Sequence, residues 1–344
     1  MTDSKVYDAI KQSQSTKKEP LIFIITTEGN VVSGFLDKKL EYCRKMIKGE
    51  IKDERVLPWL YTQDSMQEIY EDKHTWQKSN PSLGKVKTYA YIEDIMNKSK
   101  NDLSTRVTML CKDFNIKQLE SGSWLSFDDL NNETRFDISF LKDSYAVAGV
   151  DLSSTTDLTA AVLLVIKDNK KYIIPHFFMP KDTLDKRMQE DNVPYDIWVK
   201  RGLVTLSEGS QNNFSLVTDW FLDMVRKYEI RPLWVGYDPW NAQYWVDEME
   251  ESGFTLEKIR QGVFTLSEPM KQLEADLKNH IVIYDNNPIL KWCLANTQAK
   301  VDVNGNIQPC KLNSKYKRID GAVALIIAYA TLNRYIKEYE NMNS

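Results

Sequence analysis

Histidine and cysteine are scarce in this 344-residue chain, and neither is arranged for metal binding. The three histidines (His74, His176, His280) lie far apart, and the four cysteines (Cys43, Cys111, Cys293, Cys310) form no CxxC pair. That excludes a zinc ribbon or finger and a disulfide framework, and fits free thiols in a reducing compartment. No run of 18 apolar residues occurs, so nothing in the sequence is expected to span a membrane. The polar start MTDSKVYDAIKQSQSTKKEP has no apolar core of a secretory signal. A formal net charge of −4 sets up no strong field for polyanions, so any such contact needs a local basic face. No GxxxxGK[ST] loop is present to cradle nucleotide phosphates. Internal repeats and low-complexity tracts are absent as well. The chain does have 42% hydrophobic and 27% charged residues, enough for one large domain or two smaller ones.

Apolar patterning divides the chain near residues 140–145. Before that boundary, LIFIITTEGN (residues 21–30) predicts a strand buried on both faces and ending in a polar loop. Helices are predicted over 35–49 and 88–112, with turn-rich and connecting segments at 50–84 and 117–143. After it, AVAGVDLS, LTAAVLLVIK and KYIIPHFF follow one another with only SSTTD and DNKK between them, which predicts an antiparallel meander. A helix (214–228), the strand PLWVGYD, a helix (241–252), a short strand near Lys258 and a helix (268–279) come next. Asn304-Gly305 within VDVNGNIQP signals a hairpin, and a long helix closes the pattern from about Arg318 to Tyr339.

Three aspartates stand out against this pattern. Asp151 ends AVAGVD, Asp238 ends LWVGYD, and Asp320 opens the apolar helix in KRIDGAVALIIAYA. A carboxylate at the tip of a buried element is costly to desolvate unless a cation meets it. Taken singly, the first two read as capping residues after strands and the third as an acid favoured at a helix N-terminus. Three strands, a helix, a fourth strand and further helices is the element order of an RNase H-like core, an α/β fold with a mixed sheet flanked by helices. In that order the first strand is central, the fourth pairs beside it, and a C-terminal helix crosses the same end. The three acids then converge, although 87 and 82 positions separate them (238 − 151 and 320 − 238). Oxygen ligands without histidine suit a hard ion such as Mg²⁺ or Mn²⁺, and such a cluster can hold two divalent ions about 4 Å apart. Asp157 is either a fourth, weaker ligand reaching back from the SSTT turn or an ordinary turn aspartate. Lys311, Lys315, Lys317 and Arg318 precede Asp320 and form either a phosphate-gripping cluster or a solvated basic loop, with the first reading favoured by the adjoining aspartate.

The stretches GVDLSSTTDLTA, YDPWNAQ, QGVFTLSEPMKQLEADLKN, NPILKWCLAN, VDVNGNIQPCK and KRIDGAVALIIAYA, in this order over residues 146–330, resemble the large terminase subunit of tailed bacteriophages. The resemblance implies an endonuclease that cuts double-stranded phage DNA during genome packaging. Its nuclease acids fall on Asp151, Asp238 and Asp320, with an auxiliary acid on Asp157. PLIFIITTEGN resembles the coupling motif of that family's packaging ATPase, which would put coupling on Thr26, Thr27 and Gly29, and WQKSNPSLG resembles the region joining ATPase and nuclease. The phosphate loop is missing, as is an apolar strand ending in Asp-Glu before the TTEG strand. The expectation is therefore a partial ATPase segment lacking Walker A and B (residues 1–140), with no ATP hydrolysis of its own, followed by the nuclease (141–344). The family's partners would be DNA, the portal protein and the small terminase subunit, in the host cytoplasm. Two other readings keep the fold: a resolvase- or transposase-like nuclease, and a packaging-motor fragment inactive without its ATPase half.

Overall fold

The computed structural model describes residues 5–29, 34–100, 102–119, 122–153, 158–191, 193–240, 242–312 and 317–343. It falls into two compact units, Met1–Gly122 and Ser123–Ser344. The break comes about twenty residues before the boundary expected at 140–145. The intervening segment belongs with the second unit because its side chains are fastened there. The Trp124 indole donates to Glu274 at 2.9 Å, the Asn132 amide donates to the Val282 carbonyl at 2.9 Å, and Tyr284 donates to the Leu130 carbonyl.

The described part of the first unit is helical: α1 (Lys5–Ser13), α2 (Phe35–Ile47), α3 (Met66–Glu71), α4 (Tyr89–Ser99) and α5 (Leu103–Lys112). The single helix predicted over 88–112 is in fact α4 and α5. A small core of Ile69, Trp76, Leu83, Ile92, Met109, Leu110 and Phe114 holds the later helices together, while α2 buries no residue. The strand expected at 21–30 is not formed over its described part. Residues 21–29 pair with no other strand, and Phe23 and Ile25 are 82% and 95% exposed. A strand needs a neighbour's N–H and C=O groups, and no named strand lies in the described part of this unit. Thr26, Thr27 and Gly29 sit at the end of that segment. Its last residues are tied down by the Asn115 side chain, which accepts from the Glu28 amide at 3.1 Å, and by Lys112, which donates to Thr27 Oγ1 at 3.1 Å.

The second unit is built on a seven-stranded mixed sheet. After the one-turn helix α6 (Phe127–Leu130), β1 (Tyr145–Asp151), β2 (Thr159–Lys167) and β3 (Lys170–Pro180) form the predicted antiparallel meander. Then come α7 (Leu184–Asp191), α8 (Tyr195–Lys200) and β4 (Val204–Ser207), none of them anticipated from the sequence, and the expected α9 (Ser215–Tyr228) and β5 (Arg231–Tyr237). The chain continues through α10 (Gln243–Glu251), β6 (Leu256–Lys258), α11 (Val263–Lys278), β7 (Val282–Ile283) and α12 (Pro288–Ala295). It ends with the hairpin β8 (Thr297–Val301) and β9 (Ile307–Lys311), then α13 (Asp320–Arg334) and α14 (Ile336–Asn343). The long C-terminal helix is thus two helices, joined at Tyr335. The sheet order is β4-β3-β2-β1-β5-β6, with β7 beside β3. As the element order predicted, β1 is central and β5 runs parallel beside it.

Both faces of β1 are covered, and strand alternation sorts its residues between them. Ala146, Ala148 and Val150 join a core containing Trp220 and Phe221 of α9 and Trp245 and Met249 of α10. On the opposite face lies α13, whose residues 320–332 are all buried. Two glycines let it come close. Gly149 and Gly236 are register partners on β1 and β5. A Cβ on Gly149 would overlap the Ala324 carbonyl oxygen and the Ala328 amide, and one on Gly236 would overlap the Thr331 hydroxyl. Beyond α13, the Tyr339 hydroxyl donates to the Tyr145 carbonyl at the start of β1, at 2.8 Å. Helix α13 therefore runs antiparallel to β1, with its N-terminus at the strand's C-terminal end.

Candidate active site

Asp151 and Asp238 each follow a glycine by two positions, in Gly149-Val150-Asp151 and Gly236-Tyr237-Asp238. Val150 and Tyr237 are register partners, so the aspartates occupy neighbouring positions at the ends of two adjacent parallel strands. Continuing the alternation, both belong to the face that the glycines turn toward α13. Asp320 is the first residue of that helix and is buried (5% exposed), whereas Asp151 and Asp238 are half-buried.

Register places the start of α13 at the Asp151 end of the sheet, two strands across from that residue. Asp151 pairs with Ala160, and Ala160 pairs with Phe177. A Cβ on Gly321 would stand 2.9 Å from the Phe177 ring and 3.3 Å from Cys293 Sγ. Burial pushes the Cys293 thiol well above its usual range, and the negative charges of Asp320, Asp191 and Asp151 push it the same way. The thiol packs against the start of α13. The Gln261 amide, just before α11, lies 3.4 Å from Asp151 Oδ1, and the Trp240 amide lies 3.4 Å from Asp238 Oδ1.

The three aspartates thus share one end and one face of the sheet. Among the described residues, no three His, Cys, Asp or Glu side chains are gathered closely enough to hold a metal ion as they stand. The donor set nevertheless fits a hard divalent ion. It offers carboxylate oxygens only, two of them on half-buried residues that water reaches, and an ion of the Mg²⁺ type keeps several waters and takes few carboxylates directly.

The remaining predicted site residues divide. Asp157 and Lys315 lie outside the described residues. Lys311, at the end of β9, and Lys317 are half-buried. Arg318 departs from the expected DNA-facing cluster: only 3% exposed, it forms a buried pair with Asp191. A basic run reads as solvated or DNA-facing along the sequence, and only the acid from α7 reveals that one member turns inward. Asp191, Gln261 and Asn296 were not found from the sequence. They are single polar residues without pattern, and no local signal marks them. The glycine two positions before each strand aspartate was such a signal for the convergence itself.

Comparison with known proteins gives a consistent picture. The family model for the terminase large subunit, endonuclease domain, matches residues 50–334. That span takes in residues 50–140, within the segment expected to be an ATPase remnant and linker. The chain is 25% identical to protein YmfN of Escherichia coli (strain K12), over 97% of this chain and 75% of that protein. It is 24% identical to the terminase large subunit of Enterobacteria phage HK97, over 96% of this chain and 64% of that protein. In fold it resembles the crystal structure of the HK97 bacteriophage large terminase, with a TM-score of 0.54, 24% identity and coverage of 95% of this chain and 66% of that one. This chain therefore spans about two thirds to three quarters of the length of these relatives. With more than half its length matched by the family model, it belongs to the terminase large-subunit endonuclease family. Among its described residues, no helix is long and apolar enough to cross a membrane.

Proposed function

We propose that this member of the terminase large-subunit family is a divalent-metal-dependent endonuclease. In this reading it cuts double-stranded phage DNA during genome packaging, with Asp151, Asp238 and Asp320 as the acidic ligands. The observation that carries the reading is the shared face of the three carboxylates, two after glycines on adjacent parallel strands and one at the start of the helix packed on those glycines. Asp157 is proposed as an auxiliary ligand.

Mg²⁺ or Mn²⁺ bound there, singly or as a pair, would lower the pKa of a water and stabilise charge on the leaving 3′ oxygen. The chain's own contribution is placement. Asp151 closes β1 and Asp238 directly follows β5, so the paired strands bring the two to adjacent positions. Gln261 donates toward Asp151 Oδ1 and restricts how that carboxylate turns. Lys311 and Lys317, close to Asp320 in sequence, supply positive charge for flanking phosphates. The portal protein and a small terminase subunit are proposed as partners in the host cytoplasm. The part of residues 1–140 that precedes the span of the family model is proposed as an ATPase-derived segment that does not hydrolyse ATP by itself.

The test is cleavage of supercoiled plasmid with Mg²⁺ or Mn²⁺. The wild type should nick and linearise it, and chelation should stop the reaction. Asp151→Ala, Asp238→Ala and Asp320→Ala should each lower the rate by at least about a hundredfold, since each removes a ligand of the proposed ions. Equal cutting by wild type and Asp320→Ala would sink the assignment.

A further inference from the structure

The segment leading into Asp320 is gripped at several points before α13 begins. Nε of Arg318 donates to Asp191 Oδ2 and a terminal guanidinium nitrogen donates to Oδ1, each at 3.0 Å. The two side chains are 4% and 0% exposed. Tyr195, in the first turn of α8, donates its hydroxyl to Asp191 Oδ2 at 2.8 Å. The Arg318 main chain is held as well: the Asn296 amide donates to its carbonyl at 3.2 Å, and the Asn296 carbonyl accepts the Leu312 amide at 2.9 Å. The side chain and backbone of a residue two positions before Asp320 are thus tied to the ends of α7, α8 and α12.

A buried ion pair of this kind adds little net stability, because desolvating both charges offsets their attraction. A two-point fork between guanidinium and carboxylate does impose one orientation, which a single-point contact would not. Asp191 is too deeply buried to meet a DNA phosphate, and its two-point contact with Arg318 links it to the segment leading into Asp320.

We propose that Asp191, acting through Arg318, is a positioning residue for Asp320. The pair fixes the backbone from which the Asp320 carboxylate projects, at the end of the sheet where Asp151 and Asp238 lie. This inference rests on the metal-dependent nuclease reading, and it assigns to the 181–200 region a part in the site.

The test compares the full chain as wild type, Asp320→Ala, Asp191→Asn and the double variant Asp191→Leu/Arg318→Met. Three quantities are measured: the melting temperature without metal, the shift in melting temperature on adding Mn²⁺, and the Mn²⁺ concentration for half-maximal plasmid cleavage. The double variant replaces the ion pair with apolar groups, which buried sites often tolerate. It should melt within a few degrees of wild type without metal. Its Mn²⁺-induced shift should shrink toward that of Asp320→Ala, and its Mn²⁺ requirement should rise at least tenfold. Asp191→Asn should show the same losses together with a lower melting temperature, because the guanidinium is left uncompensated. A double variant with the full Mn²⁺ shift and the wild-type Mn²⁺ requirement would overturn the proposal. If the double variant does not fold, Arg318→Lys decides, since it keeps the charge and loses the fork: a raised requirement supports the proposal and an unchanged one overturns it. The two levels of inference fail differently. Wild-type cutting that Asp320→Ala abolishes, beside a double variant that behaves as wild type, sinks only the positioning. A wild type that neither cuts nor responds to Mn²⁺ sinks the nuclease reading and the positioning with it.

Discussion

Ala146–Asp151 and Leu21–Gly29 look alike along the chain, each a run of apolar residues closing on polar ones, yet they end in opposite environments. In the second unit Ala146, Val147, Ala148 and Val150 are wholly buried, because β2 and β5 pair with both edges of β1 while α9, α10 and α13 cover its faces. In the first unit Leu21, Phe23, Ile24 and Ile25 are exposed, and the segment is held by side chains, Gln14 at its start and Lys112 and Asn115 at its end. Apolar content therefore specifies a preference for burial, and a strand forms only where another strand offers hydrogen-bonding groups in register.

The sharpest way to break this comparison is at its glycines. Gly149→Ala would drive a Cβ into main-chain atoms of α13 that no side-chain rotation can move, whereas a Cβ on Gly29 meets nothing within 4 Å. We expect Gly149→Ala to cost more than about 3 kcal/mol in urea denaturation and Gly29→Ala less than about 0.5 kcal/mol. Similar values for the two would refute close packing of the helix on β1.

The core of the second unit should also leave a pH signature. Burial lowers the pKa of His176 to about 4, with the ring stacked on Trp220 and 2.8 Å from the Thr205 hydroxyl. The folded pKa lies below the unfolded value of about 6.5, so protons bind preferentially to the unfolded chain. Stability is then complete above about pH 6.5 and falls as pH drops from there toward 4, by at most about 3 kcal/mol. In His176→Gln the melting temperature should vary less across that window. A profile unchanged from wild type would assign the dependence to other groups.

Smaller effects are expected in the first unit. Glu28 is buried beside Lys117 at 3.4 Å, and Glu28→Gln should cost about 1.5 kcal/mol, the low end for a hydrogen bond to a charged group. Phe23→Ser and Ile25→Ser should change stability by less than about 0.5 kcal/mol and raise solubility, because they remove exposed apolar surface. A loss above 1 kcal/mol for Ile25→Ser, read by thermal melting, would mean the segment is packed and would erase the contrast with β1.

Much of the sheet was legible from the sequence. Strands β1–β3 announce themselves as apolar runs with short polar breaks, β5 repeats the pattern, and Asn304-Gly305 marks the β8–β9 hairpin, where Gly305 has a φ of +75°. The 181–207 region was not legible. Helix α7 buries no apolar residue and so carries no apolar stripe to detect, and four-residue β4 is recognisable only by its pairing with β3. The division between the two compact units falls before the expected boundary for a related reason. Residues 123–144 look like linker, and only Glu274, Val282 and Tyr284, distant in sequence, show where that segment is fastened.

The candidate site followed the same division. The sequence by itself determined that Asp151 and Asp238 each follow a glycine at a strand end, that Asp320 opens an apolar helix, and that oxygen is the ligand chemistry on offer. Tertiary structure alone decided that α13 runs antiparallel to β1 with its start at the Asp151 end of the sheet, that Arg318 turns inward to Asp191, and that Phe23 and Ile25 stay exposed. Residue type and spacing set local preferences, whereas burial and pairing depend on partners scores of positions away, and those partners decide which preference is satisfied.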